Sequence, residues 1–267
     1  MTEQGDRVLE ILAEEKPPSS AISEWPRAPT RADGNVDRLA DLIRHRIFTR
    51  ELLPGTRLPA ERTLSARLDV SRNTLRAALA KLQAEGLLTV RQGRGVTVSD
   101  YREAGSLALV QKMPAEMQDD ILPEILELRS TLAVSAAVKA ALHASDEQLD
   151  ELGALAKQIQ DCRGLEDLVR LDLQFSRMLV RAARSIPLEL LLNPVATLLQ
   201  GRPDISDAIF HDRSDVRRSY EVIVELLRGR DREAISELMR QGLEGRDRKT
   251  IELLEKTKKP KGHGGSR

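Results

Sequence analysis

The period of the apolar residues changes at Gly86, and that change restricts the first third of the chain to very few folds. Ahead of it, Val36, Leu39, Ala40, Ile43 and Ile47 recur at helical spacing until "LPGTRLP" halts the pattern with two prolines and a glycine. Two shorter helix patterns follow, Ala60 to Leu68 and Arg72 to Glu85, with only "DVS" between them. Ser71 is placed to cap the second, because a serine hydroxyl there accepts from an otherwise orphaned backbone N–H. Gly86 ends it as a glycine just past a helix does. Beyond Gly86, "LLTVRQGRGVTV" switches to short β-branched runs around a Gln92–Gly93–Arg94–Gly95 turn. The spacing predicts a helix-turn-helix closed by a two-stranded wing, with Leu75, Leu79 and Leu82 packed on Leu64, Leu68 and Ile43.

From Gln118 onward the helical period returns and persists. "DDILPEILELRSTLAVSAAVKAALHA" sets Ile121, Ile125, Leu128, Leu132, Ala136 and Val138 on one face. Ser145 and Gln148 have the spacing of a capping box, Pro187 suits a first helical turn, and Pro194 is expected to kink the helix it sits in. Aromatic residues are only 2% of the chain, so the core has to be built from Leu, Ala, Val and Ile, which favours helices. The expected fold class is mainly α: an N-terminal winged helix-turn-helix with a small β wing, joined to a C-terminal antiparallel all-α bundle of six or so helices. The expected divisions are a flexible extension over 1–34, the winged helix over 35–98, a linker over 99–117, the helical domain over 118–254 and a basic disordered tail over 255–267.

Net charge is zero over the whole chain, which by itself argues against a polyanionic partner. Its distribution argues the other way. Residues 37–98 carry twelve Lys or Arg against six Asp or Glu, a net +6, which leaves −6 for the remainder. The second short helix begins "SRNTLR", where its free N–H groups already favour phosphate. Arg72 has the reach for a bidentate bond to guanine, Asn73 for a base or phosphate, and Ser71 and Thr74 for phosphate oxygens. Arg76 lies one turn further on the same face, and Arg62 is placed to clamp the backbone. In the wing, the glycines admit close approach while Arg91 or Arg94 enters a flanking minor groove.

Other chemistries find less support. "GRG" lacks the spacing of a nucleotide phosphate loop. His45, His143, His211 and His263 make no metal-ligand spacing with one another, and Cys162 has no histidine partner for nucleophilic catalysis. No metal, no cofactor and no enzymatic activity are expected. No apolar run approaches the ~20 residues of a membrane helix, no leader peptide is recognisable, and a single cysteine suits a reducing compartment. The expected location is therefore cytoplasmic.

The stretch "LPGTRLPAERTLSARLDVSRNTLRAALAKLQAEGLLTVRQGRGVTV" resembles the DNA-binding domain of the GntR family of bacterial transcription regulators nearly position for position. The resemblance implies a homodimer reading a short palindromic operator, commonly as a repressor. Carried over by position, the DNA contacts are Arg62, Ser71, Arg72, Asn73, Thr74, Arg76, Gln92 and Gly93, with Arg94 beside them in the wing. The helical half is similar to the FCD effector domain of the FadR subgroup, through "ILELRSTLAVSAAVKAA" and "LDLQFSRMLVRAA". Most relatives of that kind hold a metal on one aspartate and three histidines. Here Asp172 stands at the aspartate position, but Ser176, Tyr220 and Gly242 stand at the histidine positions, so the metal site is lost.

The metal-free branch of the subgroup senses long-chain acyl-CoA, and this chain resembles it in "YREAGSLALVQKM" and in the glycine of "MRQGLEG", Gly242. A mid-helix glycine costs about 0.5–1 kcal/mol relative to alanine, and close approach of a ligand or a helix would justify it. Arg129, Arg177 and Tyr220 are candidates to face the same interior, with Arg129 and Tyr220 as effector contacts beside Gly242. The alternatives are a regulator answering a metal-independent organic acid or no ligand, and, in a different class, a helical protein-interaction module.

Overall fold

The computed structural model describes residues 35–91 and 95–258, and the chain divides into two compact units, 1–115 and 116–267. The expected extension over 1–34, the wing-tip residues Gln92, Gly93 and Arg94, and residues 259–267 lie outside the described residues.

In the first unit, α1 (Asn35–Phe48) packs on α3 (Arg72–Ala84), and α2 (Glu61–Leu68) packs on α3 in turn. Ile43, Leu64, Leu68, Leu75, Leu79 and Leu82 are all buried, as the helical spacing requires. The α2–α3 turn is made by Asp69 in the left-handed region (φ 53°), a conformation that a short polar side chain tolerates better than most. Ser71 caps α3 by accepting from the Thr74 N–H. Gly86 follows with φ 77° and turns the chain into β1 (Leu88–Arg91), which pairs antiparallel with β2 (Gly95–Val98), Leu88 opposite Val98 and Arg91 opposite Gly95.

Two features go beyond the periodicity. The proline-bounded loop is not only a helix stop. Its Gly55 N–H donates to Val98 O and its Leu58 N–H to Val96 O, both at 2.9 Å, so a short extended segment, bridged through Arg57 and Thr97, lies along the two-stranded wing. Residues of the expected linker also pack on this unit. A short helix, α4 (Tyr101–Ala104), sets Tyr101 edge-on to Phe48 with ring centroids 5.2 Å apart, and the 3-10 turn Leu107–Lys112 buries Leu109 and Val110.

In the second unit, α5 (Ala115–Asp120) leads into α6 (Leu122–His143), then α7 (Asp146–Asp161), α8 (Leu165–Ala182), α9 (Ile186–Gln200), α10 (Pro203–Ile209), α11 (Arg213–Arg228) and α12 (Arg232–Lys258). The central helix is α6, packed by α8, α9, α11 and α12. That explains why it buries more than one stripe: Leu126, Ser130, Ala137, Ala140 and Ala141 are buried, whereas Leu128 and Val138, expected on the core face, are half-buried. The run of alanines lets neighbouring helices approach closely. The Ser145–Gln148 capping box is present at the start of α7, and Pro187 occupies the first turn of α9.

The expected six or so helices are eight among the described residues, because α5 and α10 are too short to show a period. Arg202 ties these two regions together, bonding Asp119 at 2.9 Å and Asp204 at 2.7 Å. The boundary expected at residue 255 is not observed, since α12 continues to Lys258 with the Thr257 hydroxyl donating to Leu254 O. Among the described residues no helix is long and apolar enough to cross a membrane.

Candidate nucleic-acid interface and ligand cavity

At the start of α3, Ser71, Arg72, Asn73 and Arg76 are exposed and Thr74 is half-buried. Ser71 Oγ accepts the Thr74 N–H at 3.1 Å and lies 2.8 Å from Thr74 Oγ1. Two hydroxyls carry two protons; one bridges the pair, so the other is free to donate outward. Arg72 and Asn73 have no side-chain hydrogen bond within the described residues. Arg76 Nε donates to Glu61 Oε2 at 2.7 Å, which sets the first turn of α2, and exposed Arg62 with it, beside the first turns of α3. Six of the nine expected contact residues therefore lie in or beside the first two turns of α3. Gln92, Gly93 and Arg94 lie outside the described residues.

The opposite end of α3 is anchored by charge. Glu85 accepts from Arg44 Nε at 2.9 Å and Nη2 at 3.0 Å, and also from Lys112 of the 3-10 turn. Burial pushes the Glu85 carboxyl up, but the Arg44 and Lys112 hydrogen bonds outweigh it and hold the group below its ordinary range. At Gly86 an added Cβ would lie 2.1 Å from the Ala104 carbonyl oxygen, so only glycine admits the linker segment there.

The helical unit holds a cavity of about 330 Å³. Asp172, Ser176, Tyr220 and Gly242, the four positions that the resemblance relates to a metal site, all line it. The Tyr220 phenol donates to Asp172 Oδ1 and stacks edge-on against Phe175 at 4.9 Å. Burial first, and then the Asp172 charge, pushes the phenol pKa well above its ordinary value, so it remains a donor. A carboxylate with a phenol already bound to it, a serine hydroxyl and a glycine do not make a metal shell. Among the described residues there is no group of three or more His, Cys, Asp or Glu that could hold an ion.

Arg129 also lines this cavity, and a smaller one of about 60 Å³ behind it. Its guanidinium is tied to Asp247, which also accepts from Ser130, yet Arg129 Nε is buried with no hydrogen-bond partner. A buried donor without an acceptor is costly, so this atom is a strained point in the cavity wall. A Cβ at Gly242 would meet nothing within 4 Å, so no neighbouring helix requires that glycine; the cavity lies over it.

Arg177 does not face this interior. It is exposed on the outer side of α8 and lines an open groove with Arg170 and Arg181, because its position is on the opposite side of the helix from Phe175 and Leu179. Two residues that sequence reasoning passed over, Arg218 and Arg246, line the cavity without an ion pair among the described residues. Arg246 was within reach of spacing alone, one turn after Gly242. Phe175, Leu179, Ile223 and Met239 give the cavity its apolar wall, and exposed Arg218, Leu238 and Gly242 mark its open side.

Known proteins are similar to the chain over both units. The profile described as bacterial regulatory proteins, gntR family, matches residues 35–98, and that of the FCD domain matches residues 124–245. An uncharacterised HTH-type transcriptional regulator of Mycobacterium tuberculosis is 32% identical over 180 residues, 67% of this chain and 74% of its own. A fatty acid metabolism regulator protein of Yersinia enterocolitica is 30% identical over 151 residues, 55% of this chain and 62% of its own. The solved structure of Lar, described as controlling expression of the Listeria monocytogenes agr system, shares the fold at a TM-score of 0.52 and 20% identity, covering 84% of this chain and 99% of that one.

Proposed function

This chain belongs to the GntR family of bacterial regulatory proteins and is a transcription regulator with an FCD effector domain, and we propose that it acts as a homodimer on a palindromic operator, its grip controlled by an acyl-CoA-like effector. In this reading residues 35–98 bind DNA, 99–117 link, and 118–254 bind the effector. Arg72 and Asn73 read base edges, while Arg62, Ser71 and Thr74 hold phosphates and Arg76 joins them from its bond to Glu61. Gln92, Gly93 and Arg94 follow the flanking minor groove.

The observation that carries the effector half of the reading is the cavity. An apolar wall suits an acyl chain, Arg218 and Arg246, which have no ion pair among the described residues, suit an anionic head, and Arg129, tied to Asp247 in the cavity wall, adds a further cation. Tyr220 shapes the polar end and Gly242 leaves the entrance open. A usable switch needs a coupling of about 1–3 kcal/mol between effector and DNA. The linker segment packs on Glu85 and Gly86, just past the C-terminal end of the recognition helix, which makes it the natural carrier of that coupling. Half-site spacing then supplies the response, since a small displacement of one winged helix removes it from register.

A volume of about 330 Å³ lies at the lower end of the ~300–1,000 Å³ common for ligand pockets, which favours acyl chains of modest length. The test is fluorescence anisotropy of a labelled palindromic duplex, titrated with acyl-CoAs of increasing chain length, coenzyme A alone and short organic acids. Release by acyl-CoA and not by coenzyme A supports the reading. Release by short acids alone replaces the ligand, and no duplex binding at all overturns the function.

A further inference from the structure

We propose that Arg57, on the short extended segment that the proline-bounded loop lays along the wing, contacts the DNA backbone and completes a phosphate-binding outer face there. The inference rests on the DNA-binding reading above and extends it to a residue outside the helix-turn-helix and the wing tip.

Strand pairing decides which way Arg57 points. Arg57 is bridged to Thr97, Val98 N–H donates to Thr56 O at 2.9 Å, and Leu58 N–H donates to Val96 O at 2.9 Å. Thr56, Leu58, Val96 and Val98 are buried, so they form the inner face, and alternation puts Arg57, Gly95 and Thr97 on the outer one. Across the ladder, Thr89 is opposite Thr97 and Arg91 is opposite Gly95, which adds Arg91 to the same outer face. The Arg57 guanidinium lies over Gly95: a Cβ there would be 3.4 Å from Nε and 3.5 Å from Nη2.

Both arginines are exposed, and neither has a carboxylate or hydrogen-bond partner among the described residues. The segments that build this face, residues 55–58, 88–91 and 95–98, contain no Asp or Glu. With the Arg57 guanidinium over Gly95 and Arg91 opposite that residue on the same face, the two cations gather at one exposed spot against which an extended polyanion can lie. Arginine suits this geometry because its planar fork matches phosphate oxygens. The duplex backbone is the polyanion already called for by the start of α3.

A phosphate contact is blind to sequence, so its removal weakens every duplex alike and lowers the salt slope of binding. The experiment measures affinity for a palindromic and a mixed-sequence duplex across a salt series, for the full chain, Arg57→Ala and Arg57→Lys. Arg57→Ala is expected to lower the log–log slope by about 0.9 on both duplexes, while Arg57→Lys retains the slope. Unfolding curves confirm that this exposed substitution leaves the fold intact. If the unsubstituted chain binds steeply and Arg57→Ala has the same slope, the role of Arg57 is overturned and the DNA reading stands. If the unsubstituted chain binds neither duplex, both fall together.

Discussion

Glu85→Gln is expected to destabilise the N-terminal unit by about 3 kcal/mol, the lower end of what removing one member of a buried ion pair costs. The Arg44 side chain is 5% exposed and that of Glu85 10%, and two hydrogen bonds of 2.9 and 3.0 Å join them. Glutamine retains the shape and one acceptor, but removes the charge and the second acceptor. Arg44 is then left with Asp41, which is 66% exposed and screened by water. Lys112→Met removes the other partner of Glu85, but Lys112 is 40% exposed, so its loss is limited to about 0.2–1 kcal/mol.

The two substitutions thus differ several-fold although they touch one carboxylate. At ~4–8 °C per kcal/mol for a domain of this size, Glu85→Gln lowers the midpoint by roughly 12–24 °C and Lys112→Met by less than ~8 °C. Thermal unfolding of the full chain, with amide exchange on α1 and α3 to assign the transition, provides the measurement. Because the Glu85 carboxyl lies below its ordinary value of 4.5 when folded, its contribution is complete above that pH. It is lost as pH falls from there through the folded value. Glu85→Gln removes that loss, so its stability curve is flatter on the acid side. A Glu85→Gln midpoint within ~2 °C of the unsubstituted chain, or a Lys112→Met effect of equal size, would refute the argument from burial.

Gly86→Ala places a methyl 2.1 Å from the Ala104 carbonyl oxygen at φ 77°, so α4 must leave its seat; trypsin is expected to cut after Arg102 at least tenfold faster, and an unchanged rate would contradict the docking. Gly242→Leu projects into open space, so duplex affinity and midpoint remain close to those of the unsubstituted chain while release by acyl-CoA is lost. Retained release would remove the cavity from the account. The triple variant Ser176→His, Tyr220→His, Gly242→His places three imidazoles around Asp172, and zinc is expected to raise its midpoint but not that of the unsubstituted chain. A chelator reverses the gain, and no zinc effect would mean that the four positions do not converge closely enough.

Periodicity made most of the architecture legible, because long amphipathic helices and a β-branched hairpin declare themselves locally. Ser71, Gly86, Ser145 and Pro187 each mark a helix end through chemistry that involves only neighbouring residues. What escaped was non-local or short. α5 and α10 are too brief to show a period, and the extended segment along the wing lies between Pro54 and Pro59, where proline signals argue for a loop. The single-face reading of α6 failed because a central helix has several neighbours, which no one-dimensional stripe conveys.

At the sites, the start of α3 was legible because capping and exposure there follow from adjacent residues. The cavity was legible only through resemblance, which brought Asp172, Ser176, Tyr220 and Gly242 to one place. Resemblance could not supply the Tyr220–Asp172 bond, the pairing of Arg129 with Asp247, or the outward direction of Arg177. Each of these depends on which helix lies opposite, a question of packing and not of spacing.

The central claim is that one ligand in the helical cavity and one duplex on the winged helix share a free energy of coupling. Calorimetric titration of acyl-CoA into the protein, with and without saturating duplex, tests it most directly. In a dimer that carries two effectors and one duplex, linkage requires that saturating acyl-CoA weaken duplex binding by the product of the factors by which the duplex weakens acyl-CoA at the two sites, about 5- to 150-fold per site for a working switch. A duplex factor equal to the product of the two per-site effector factors is the predicted result. Acyl-CoA binding that is identical with and without duplex would contradict the account, whatever the affinity of either ligand alone.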